Sequence, residues 1–300
     1  MKRVVIVGGG IAGLGCAWWL RGRSRVTVLE EGLRWGGVVA TERTGGFLHE
    51  GGPDSFVPGR SEPLELCRKL GLDVVEARPS RVYLWRRRRL WPLPAGLAFG
   101  LPTRLGPFLS TPLLTWEGKL RMGLDLVRPR AGRRGDESLG AFLRRRLGPE
   151  AVRRLADPLL GGIHLARTDD LSLQATFPQL GELERRHRSL ILGLRRTPPP
   201  QPCAPHAPLG GMGEFIDRLR RALGEVELRL GVEVLRVSGG PARGRTSWTV
   251  QARGASWEAD EVVLAVPAPR AAALVAAEYP DLAERLRLIA YASSTVVSLG

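Results

Sequence analysis

The chain has 300 residues, 43% of them hydrophobic and 25% charged; this length exceeds one ordinary hydrophobic core, so we expect two or three domains. Its formal net charge is +15, and three of its 45 basic residues are lysines. Such an excess of arginine suits binding to a nucleic acid, a membrane surface or a polyanionic substrate. Codon usage in a GC-rich genome is the alternative explanation. Because the arginines are spread over amphipathic helices and form no basic tail with interleaved aromatics, nucleic acid is the least favoured partner.

A glycine motif directly follows the first apolar run of the chain. It consists of Gly8, Gly9, Gly10, Ile11, Ala12 and Gly13. Gly8 permits a tight turn, Gly10 lets the backbone approach a pyrophosphate, and Gly13 allows close packing of a helix on the strand. Glu30 ends the second apolar run, where a carboxylate accepts from ribose hydroxyls and repels a 2′-phosphate. The pattern predicts a dinucleotide-binding unit; a structural turn that only resembles one is the alternative.

Two further glycine-rich segments, residues 31–37 and 46–56, stand where an ordinary NAD-binding fold would alternate helix and strand. Paired glycines again let the backbone approach a ligand, and Arg34 is within reach of a phosphate. Inserted turns of this kind are typical of flavoproteins, in which loops clasp the isoalloxazine ring. Asp54 and Ser55 are candidates for that role, with simple turn residues as the alternative.

Residues 82–91 predict a hairpin whose tip, the four arginines of residues 86–89, is solvated. Residues 92–112 then combine prolines and glycines with apolar side chains. They indicate either an apolar collar, which lies on a membrane or admits an apolar substrate, or ordinary loop packing.

Two helices are predicted between residues 136 and 161. The first opens at Asp136, and its arginines, residues 144–146, mostly face water. Its buried face carries Leu139, Phe142, Leu143 and Leu147. The second begins at Gly148-Pro149 and ends at Gly161-Gly162. The proline-rich residues 197–202 cannot continue a helix, and they mark a crossover between domains.

The nucleotide-binding domain resumes after this crossover. Residues 210–213 precede a helix whose inward face carries Phe215, Ile216, Leu219 and Leu223. Short strands follow up to residue 252, and residues 262–266 form an apolar run suited to a fully buried parallel strand. A sheet that is interrupted by a long insertion and later rejoined is the layout of two-domain flavoprotein oxidases.

The cysteines and the apolar runs limit the remaining classes. Cys16, Cys67 and Cys203 are odd in number and far apart, so we expect neither a disulfide framework nor a metal site, and a reducing, cytoplasmic location is the simplest inference. Because the sequence offers no run of about 18 apolar residues, we expect no membrane-spanning segment.

Eight segments carry a resemblance along almost the whole chain. They are residues 8–13, 30–37, 52–56, 100–103, 136–139, 144–148, 171–178 and 188–193. The first three occur throughout the amine-oxidase-like flavoproteins, whereas the later ones are particular to the FAD-dependent porphyrinogen oxidases. The sequence therefore resembles that family, and within it the bacterial coproporphyrinogen III and protoporphyrinogen oxidases.

The resemblance implies an α/β fold: a Rossmann-like FAD/NAD(P)-binding fold of the amine-oxidase-like flavoprotein type, with an inserted α+β substrate domain and a helical subdomain. The FAD-binding domain would comprise residues 1–56 and 205–270, the substrate domain residues 57–92, 171–204 and 271–300, and the helical subdomain residues 93–170. Relatives continue beyond the equivalent of Gly300, so a truncated chain that retains little FAD is a further expectation.

The resemblance also implies the site residues. FAD would be held by Gly8, Gly9, Gly10, Ile11, Ala12, Gly13, Glu30, Glu31, Arg34, Gly37, Val38, Gly52, Pro53, Asp54, Ser55 and Val234. Arg81 falls where some relatives pair an arginine with a substrate propionate, with a surface arginine as the alternative. Gly162 and His164 are pocket candidates, although residues 161–167 depart from the family pattern and a lone histidine beside apolar residues is more often structural.

The activity that the resemblance implies is the six-electron oxidation of coproporphyrinogen III to coproporphyrin III, with O₂ as acceptor and H₂O₂ as product. Protoporphyrinogen IX is the alternative substrate. Another amine-oxidase-like flavoprotein, such as an amine oxidase or a carotenoid desaturase, and an inactive fragment or binding protein are the alternative functions. Partners left open are a membrane surface, bound peripherally, and a downstream haem-pathway enzyme.

Overall fold

The computed structural model describes residues 1–57, 62–78, 82–94, 96–98, 101–102, 104–130, 135–197, 204–242 and 245–299. The chain divides into two compact units. Unit 1 comprises Met1–Arg78 and Cys203–Gly300, and unit 2 comprises Pro79–Pro202. The predicted division into cofactor, substrate and helical domains does not follow these two units, because the predicted substrate domain, residues 57–92, 171–204 and 271–300, has residues in both. That division stays a prediction.

The elements follow in chain order. The first part of unit 1 contains β1 (Arg3–Val7), α1 (Ile11–Leu20), β2 (Arg25–Leu29), β3 (Thr41–Thr44), β4 (Phe47–Glu50), α2 (Glu62–Lys69) and β5 (Val74–Glu76). Unit 2 contains β6 (Tyr83–Arg86), β7 (Arg89–Pro92), β8 (Leu97–Ala98), β9 (Leu101–Pro102), α3 (Leu105–Ser110), α4 (Trp116–Gly123), a 3₁₀ turn (Leu124–Leu126), α5 (Leu139–Leu147), α6 (Pro149–Ala151), a π-helical segment (Val152–Gly161), α7 (Gly162–His164), a 3₁₀ turn (Thr168–Asp170), α8 (Leu173–Thr176), α9 (Pro178–His187) and α10 (Leu190–Arg196). The second part of unit 1 contains β10 (His206–Pro208), α11 (Met212–Arg221), β11 (Glu227–Arg229), β12 (Val234–Ala242), β13 (Arg245–Ala252), β14 (Ala255–Ala259), β15 (Glu261–Leu264), α12 (Ala268–Val275) and α13 (Pro280–Arg287).

Unit 1 is built on a parallel sheet with the strand order β11-β2-β1-β15. Side chains of α1 and α11 cover one face of this sheet, where Leu14 and Phe215 pack with Ile6. On the other face, Val5 packs with residues of the antiparallel β12-β13-β14 sheet and of α12, including Leu274. Because β1 is covered on both faces, its sequence is continuously apolar. This layering confirms the predicted α/β class.

The predicted strand at residues 262–266 is present as β15, but its burial was overestimated. Val262, Val263 and Leu264 are half-buried, whereas Val4 to Val7 of β1 are buried. The reason is position, since β15 has a partner strand on one side only among the described residues. A similar correction does not apply to α11, in which the predicted inward residues Phe215, Ile216 and Leu219 are buried; the fourth, Leu223, is also buried but lies two residues beyond the end of this helix.

Unit 2 has a helical core in which the predicted face of α5, with Phe142 and Leu143, is fully buried. This helix begins at Leu139 and not at Asp136. Ser138 is the N-cap, because its side chain accepts a hydrogen bond from the amide of Ala141 at 3.1 Å. Asp136 instead accepts from the amide of Gln174, also at 3.1 Å.

The second predicted helix of unit 2 does not end at Gly161-Gly162. It passes through the π-helical segment and continues to His164, and the chain turns at Leu165 with φ 51°. Pro158 lies inside the π-helical segment. Proline has no amide hydrogen to donate there, which favours a local change of the hydrogen-bonding pattern over a regular α-helix.

Two of the three arginines of α5, Arg145 and Arg146, do not face water as predicted, whereas the side chain of Arg144 is 41% exposed. Arg146 is 0% exposed and Asp125, its ion-pair partner, is also 0% exposed. Arg145 is bound to Glu184 at 2.7 Å. The predicted exposure was wrong because it followed the residue type, while paired carboxylates inside unit 2 make burial of the guanidinium tolerable.

The predicted hairpin is confirmed as β6 and β7, with Arg87 and Arg88 at its turn. Both turn residues have positive φ, 49° and 59°. Arg86, however, is not a solvated tip residue, because it donates to the carbonyl of Leu113 at 3.1 Å and burial lowers the pKa of its guanidinium. Of the predicted apolar collar, Leu101 and Phe108 are buried in the core of unit 2, as loop packing requires.

Residues 198–202 of the proline-rich crossover lie outside the described residues. Over the ranges that the structure describes, no helix has the length and hydropathy needed to cross a bilayer.

Candidate functional site

A cavity of about 590 Å³ opens at the carboxyl edge of the parallel sheet in unit 1. Its described lining residues are Val7, Gly8, Gly10, Ile11, Ala12, Leu29, Glu30, Glu31, Gly36, Gly37, Val38, Val232, Val234, Leu264, Ala265, Val266, Pro267, Arg270, Leu274 and Tyr291. The volume lies in the range of about 300–1,000 Å³ that is usual for small-molecule pockets. Ligands of open α/β sheets bind at this edge, because the strands end there and the following helices begin.

The glycines of the first turn have three different roles. Gly8 has φ 110°, and a Cβ at this position would lie 2.6 Å from the carbonyl oxygen of Ala265. At Gly13 a Cβ would lie 1.9 Å from the carbonyl oxygen of Gly8, so this residue brings α1 against β1 as predicted. At Gly10 the nearest atom to such a Cβ is the Cα of Gly37, at 4.0 Å. Gly10 therefore leaves open space beside the N-terminus of α1, which is where an anionic group would approach the free amides.

Glu30 ties together the loops around the cavity. Its Oε2 accepts from the amide of Gly9 at 2.6 Å, and its Oε1 accepts from the amide of Gly32 at 2.8 Å. The amide of Val232 also donates to the main-chain carbonyl of Glu30 at 2.8 Å. Because each carboxylate oxygen can accept a second hydrogen bond, the side chain retains acceptor capacity for hydroxyl groups.

Arg34 supports the cavity wall through hydrogen bonds to the main chain. Its guanidinium donates to the carbonyls of Gly37 at 2.6 Å and Val39 at 2.8 Å, and it does not line the cavity. Gly52 supports the same wall, because a Cβ there would lie 1.9 Å from the carbonyl oxygen of Val38. The structure thus gives both residues a role in holding the loop of residues 36–39, while a contact of Arg34 with phosphate stays a prediction.

The remaining predicted residues are distributed as follows. Gly9 is buried beside Trp35, and Pro53, Asp54 and Ser55 do not line the cavity; Ser55 donates to Asp54 at 2.6 Å. Their contact with a flavin stays a prediction. Arg81 lies outside the described residues.

Gly162 and His164 lie in unit 2 and are exposed. The ring of His164 meets that of Phe177 edge-on at 5.4 Å, which is the packing expected of the structural alternative. A pocket role for either residue stays a prediction.

Sequence reasoning missed the contribution of α12 and of the segment after α13. Arg270 of α12 lies 2.9 Å from Glu31, and the hydroxyl of Tyr291 accepts from the amide of Ala268 at 2.9 Å. A usable signal was present: the helix after a parallel strand begins at the same edge as the helix after β1, so its first turn should also reach the cavity.

The described residues give no indication of a metal site or of a reactive thiol. No group of three or more His, Cys, Asp or Glu residues among them is placed to hold a metal ion. Burial raises the pKa of the Cys16 and Cys67 thiols, so neither is an activated thiolate at neutral pH. The cavity itself combines a helix N-terminus, an open glycine and a carboxylate with free acceptor capacity, and these features fit the pyrophosphate and ribose of a dinucleotide.

Comparison with known proteins gives consistent matches. The sequence matches the flavin containing amine oxidoreductase family over residues 11–300. It is 40% identical to a coproporphyrinogen III oxidase of Propionibacterium freudenreichii subsp. freudenreichii over 337 residues, covering 99% of this chain and 63% of that protein. It is 34% identical to the protoporphyrinogen oxidase of Homo sapiens over 326 residues, covering 99% and 66%.

A crystal structure from Exiguobacterium sp. 255-15, provisionally assigned as a protoporphyrinogen oxidase, superposes with a TM-score of 0.82 at 35% identity. The match covers 94% of this chain and 63% of that one. The chain therefore spans about 63% of the length of the relatives it matches over almost all of its own residues.

Proposed function

The chain belongs to the family of flavin-containing amine oxidoreductases, and from this premise we propose that the cavity of unit 1 holds FAD and that the protein oxidises coproporphyrinogen III with O₂ as acceptor. The observation that carries the reaction class is the 40% identity, over 99% of this chain, to a protein named coproporphyrinogen III oxidase. Protoporphyrinogen IX is the second candidate substrate, because a protein named protoporphyrinogen oxidase matches at 34% identity.

The residues of the cavity would hold the adenosine and pyrophosphate parts of FAD. The amides of Ile11 and Ala12, at the N-terminus of α1, would donate to the pyrophosphate, and the helix dipole favours its charge. Glu30 would accept from the ribose hydroxyls while it keeps its bonds to Gly9 and Gly32. The FAD held by these residues would supply the redox chemistry of the proposed reaction, a six-electron oxidation of the substrate with O₂ as acceptor.

The protein's own part in the reaction is then to bind and orient the substrate. Coproporphyrinogen carries four propionates and protoporphyrinogen two, so a chain with a net charge of +15 suits the more anionic substrate. Arg81 is proposed to pair with one propionate, and Gly162 and His164 are proposed to line the pocket wall. An amine oxidase or carotenoid desaturase remains the alternative within the same family.

A spectrum and a turnover assay test this proposal together. With FAD in excess, which compensates for weak retention, the protein should show the spectrum of bound oxidised flavin, and aerobic addition of coproporphyrinogen III should produce porphyrin fluorescence and H₂O₂ faster than the uncatalysed oxidation. Faster turnover of protoporphyrinogen IX would change the substrate. Bound flavin with turnover of an amine and of neither porphyrinogen would overturn the reaction class.

The cofactor site is tested separately by Gly10→Val. A branched side chain would occupy the open space beside Gly37, so we expect loss of FAD binding at concentrations that saturate the parent, with the fold intact. Gly15→Val is the matched control, because Gly15 lies in α1 outside the cavity lining and a Cβ there meets no atom within 4 Å. Folded Gly10→Val that binds FAD as the parent does would refute the assignment of the cavity as the FAD site.

For the substrate, Arg81→Ala should raise the KM for coproporphyrinogen III roughly 10- to 100-fold, the effect of losing one charged hydrogen-bonded pair. Arg81→Lys should have a smaller effect, because it keeps the charge. Arg78→Ala, an exposed arginine of the same stretch, is the control. KM values of both Arg81 variants that equal the parent's would show that Arg81 is a surface arginine with no contact to the substrate.

A further inference from the structure

Arg270 joins three segments at one end of the cavity. Its Nη2 lies 2.9 Å from Oε2 of Glu31 and 3.5 Å from Oε1 of Glu233, and it donates to the carbonyl of Val234 at 3.4 Å. The side chain is 35% exposed, and the residue lines the cavity together with Glu31 and Val234. A single guanidinium thus connects α12 to the loop after β2 and to the start of β12.

The charges around the cavity indicate what the ion pair between Arg270 and Glu31 does for a bound ligand. Among the described lining residues, Glu30 and Glu31 are negative and Arg270 alone is positive. A dinucleotide adds the two negative charges of its pyrophosphate, so an unpaired Glu31 would repel it. Pairing with Arg270 removes much of that repulsion without removing the acceptor that Glu30 offers.

Arg270 also keeps unused hydrogen-bonding capacity. All of its contacts with described residues are made by Nη2, so the Nε and Nη1 groups bond to no residue that the structure describes. These two nitrogens carry three of the five N–H donors of a guanidinium. A purely structural arginine in a closed network would have few donors left for a ligand.

We propose that Arg270 is the cationic positioning residue of the adenosine end of the cofactor cavity: it neutralises Glu31 and offers its remaining N–H groups to the ribose and phosphate oxygens of FAD. This inference rests on the proposed FAD site and deepens it. It follows that Arg270 should matter for any ligand that contains the adenosine diphosphate part, including ADP alone.

The test is equilibrium binding of FAD, by flavin fluorescence, and of ADP, by calorimetry. Arg270→Met should weaken both ligands roughly tenfold or more, the loss expected for a charge-assisted hydrogen bond. Arg270→Lys should fall between the parent and Arg270→Met, because it keeps the charge and loses the planar fork. Arg253→Met is the matched control, since Arg253 pairs with the same Glu233 at 3.6 Å but does not line the cavity.

Charge rescue separates positioning from a structural role. In Arg270→Met/Glu31→Gln the repelling carboxylate is gone, so FAD affinity should recover by about threefold or more relative to Arg270→Met. A residue that only fastens α12 would give a double variant that binds no better than the single one, with a lowered melting temperature in both.

The outcomes distinguish this inference from the function on which it rests. FAD and ADP affinities of Arg270→Met within about twofold of the parent would overturn the role of Arg270 and leave the FAD site standing. A parent protein that binds neither FAD nor ADP would overturn both.

Discussion

Arginine–carboxylate pairs occur in both units, and they serve opposite purposes. Arg146 of unit 2 is 0% exposed, and its guanidinium is closed in by Asp125 and by the carbonyls of Pro129 and Arg188. Arg270 of unit 1 is 35% exposed, and its contacts with the part of the chain that the structure describes are all made by Nη2. The difference teaches that burial and the number of satisfied donors, and not the ion pair itself, separate an arginine that builds the fold from one that is available to a ligand.

The largest effect should come from opening the closed network. Arg146→Met leaves the carboxylate of Asp125 buried, and its remaining donors among the described residues are the hydroxyl of Ser189 and the amide of Ile191. Breaking a buried pair in this way costs about 3–5 kcal/mol, so unit 2 should unfold at much lower denaturant. Hydrogen exchange of peptides from α5 and from β1 measures this, and we expect loss of protection in α5 alone.

The matched control for that experiment is Arg186→Met. Arg186 is 71% exposed and pairs with Glu182 at 2.5 Å one helical turn away. An exposed pair of this kind contributes about 0–1 kcal/mol. Equal losses of stability in the two variants would mean that burial does not explain the difference between the arginines.

The next effect belongs to the open site. Glu30→Gln turns one acceptor oxygen into an amide NH₂, which then faces the amide of Gly9 or that of Gly32. FAD binding should weaken by about 1.5–3 kcal/mol, the range for a hydrogen bond to a charged group, while unit 2 keeps its stability. An unchanged dissociation constant for FAD would remove Glu30 from the ribose site.

A third variant tests whether the glycines of the cavity differ as their surroundings indicate. Gly13→Ala places a Cβ 1.9 Å from the carbonyl oxygen of Gly8, so α1 must move away from β1. Overpacking of this kind costs about 1–3 kcal/mol of stability. Gly10→Ala, whose Cβ has 4.0 Å of space, should cost less than about 1 kcal/mol. Chemical unfolding of the two variants measures the difference, and equal midpoints would contradict the assigned packing.

Features formed by residues close in sequence could be predicted, whereas contacts between residues far apart in sequence could not. The βαβ unit was predictable, because the apolar run, the glycines and Glu30 are close in sequence and each has a local reason. The pairing of Arg270 with Glu31 was not, because 239 residues separate them and their meeting depends on where β15 joins the sheet.

For Arg146 the helical periodicity indicated burial, but the charge of the side chain led to the opposite expectation. It stands four residues after Phe142 and seven after Leu139, so helical spacing places it on the buried face of α5. Its partners Asp125 and Glu184 lie 21 and 38 residues away. The periodicity was correct, and the expectation that the three arginines mostly face water was wrong for Arg145 and Arg146.

The smallest effect is expected for a half-exposed ion pair of unit 2. Because this pair lies in the same unit as Arg146 but is not buried, it tests whether burial or location in unit 2 determines the loss of stability. Arg144 donates to Asp169 at 3.0 Å, with side chains 41% and 33% exposed. That hydrogen bond is the main reason why the pKa of Asp169 lies below its ordinary value of 3.8. The unfolded chain therefore takes up the proton first as the pH falls. The contribution of the pair to the free energy of unfolding is complete above about pH 5 and declines below about pH 4.

Because both side chains are about a third or more exposed, we expect the pair to contribute at most about 1 kcal/mol to the free energy of unfolding. Asp169→Asn should show this as a stability difference from the parent that shrinks below pH 4, and the same substitution in Arg144→Met should show a smaller pH dependence, because only Arg167, at 3.8 Å, then pairs with Asp169 among the described residues. A loss as large as that of Arg146→Met would mean that any charge pair of unit 2 is essential to its fold, and that burial does not decide which arginines build it.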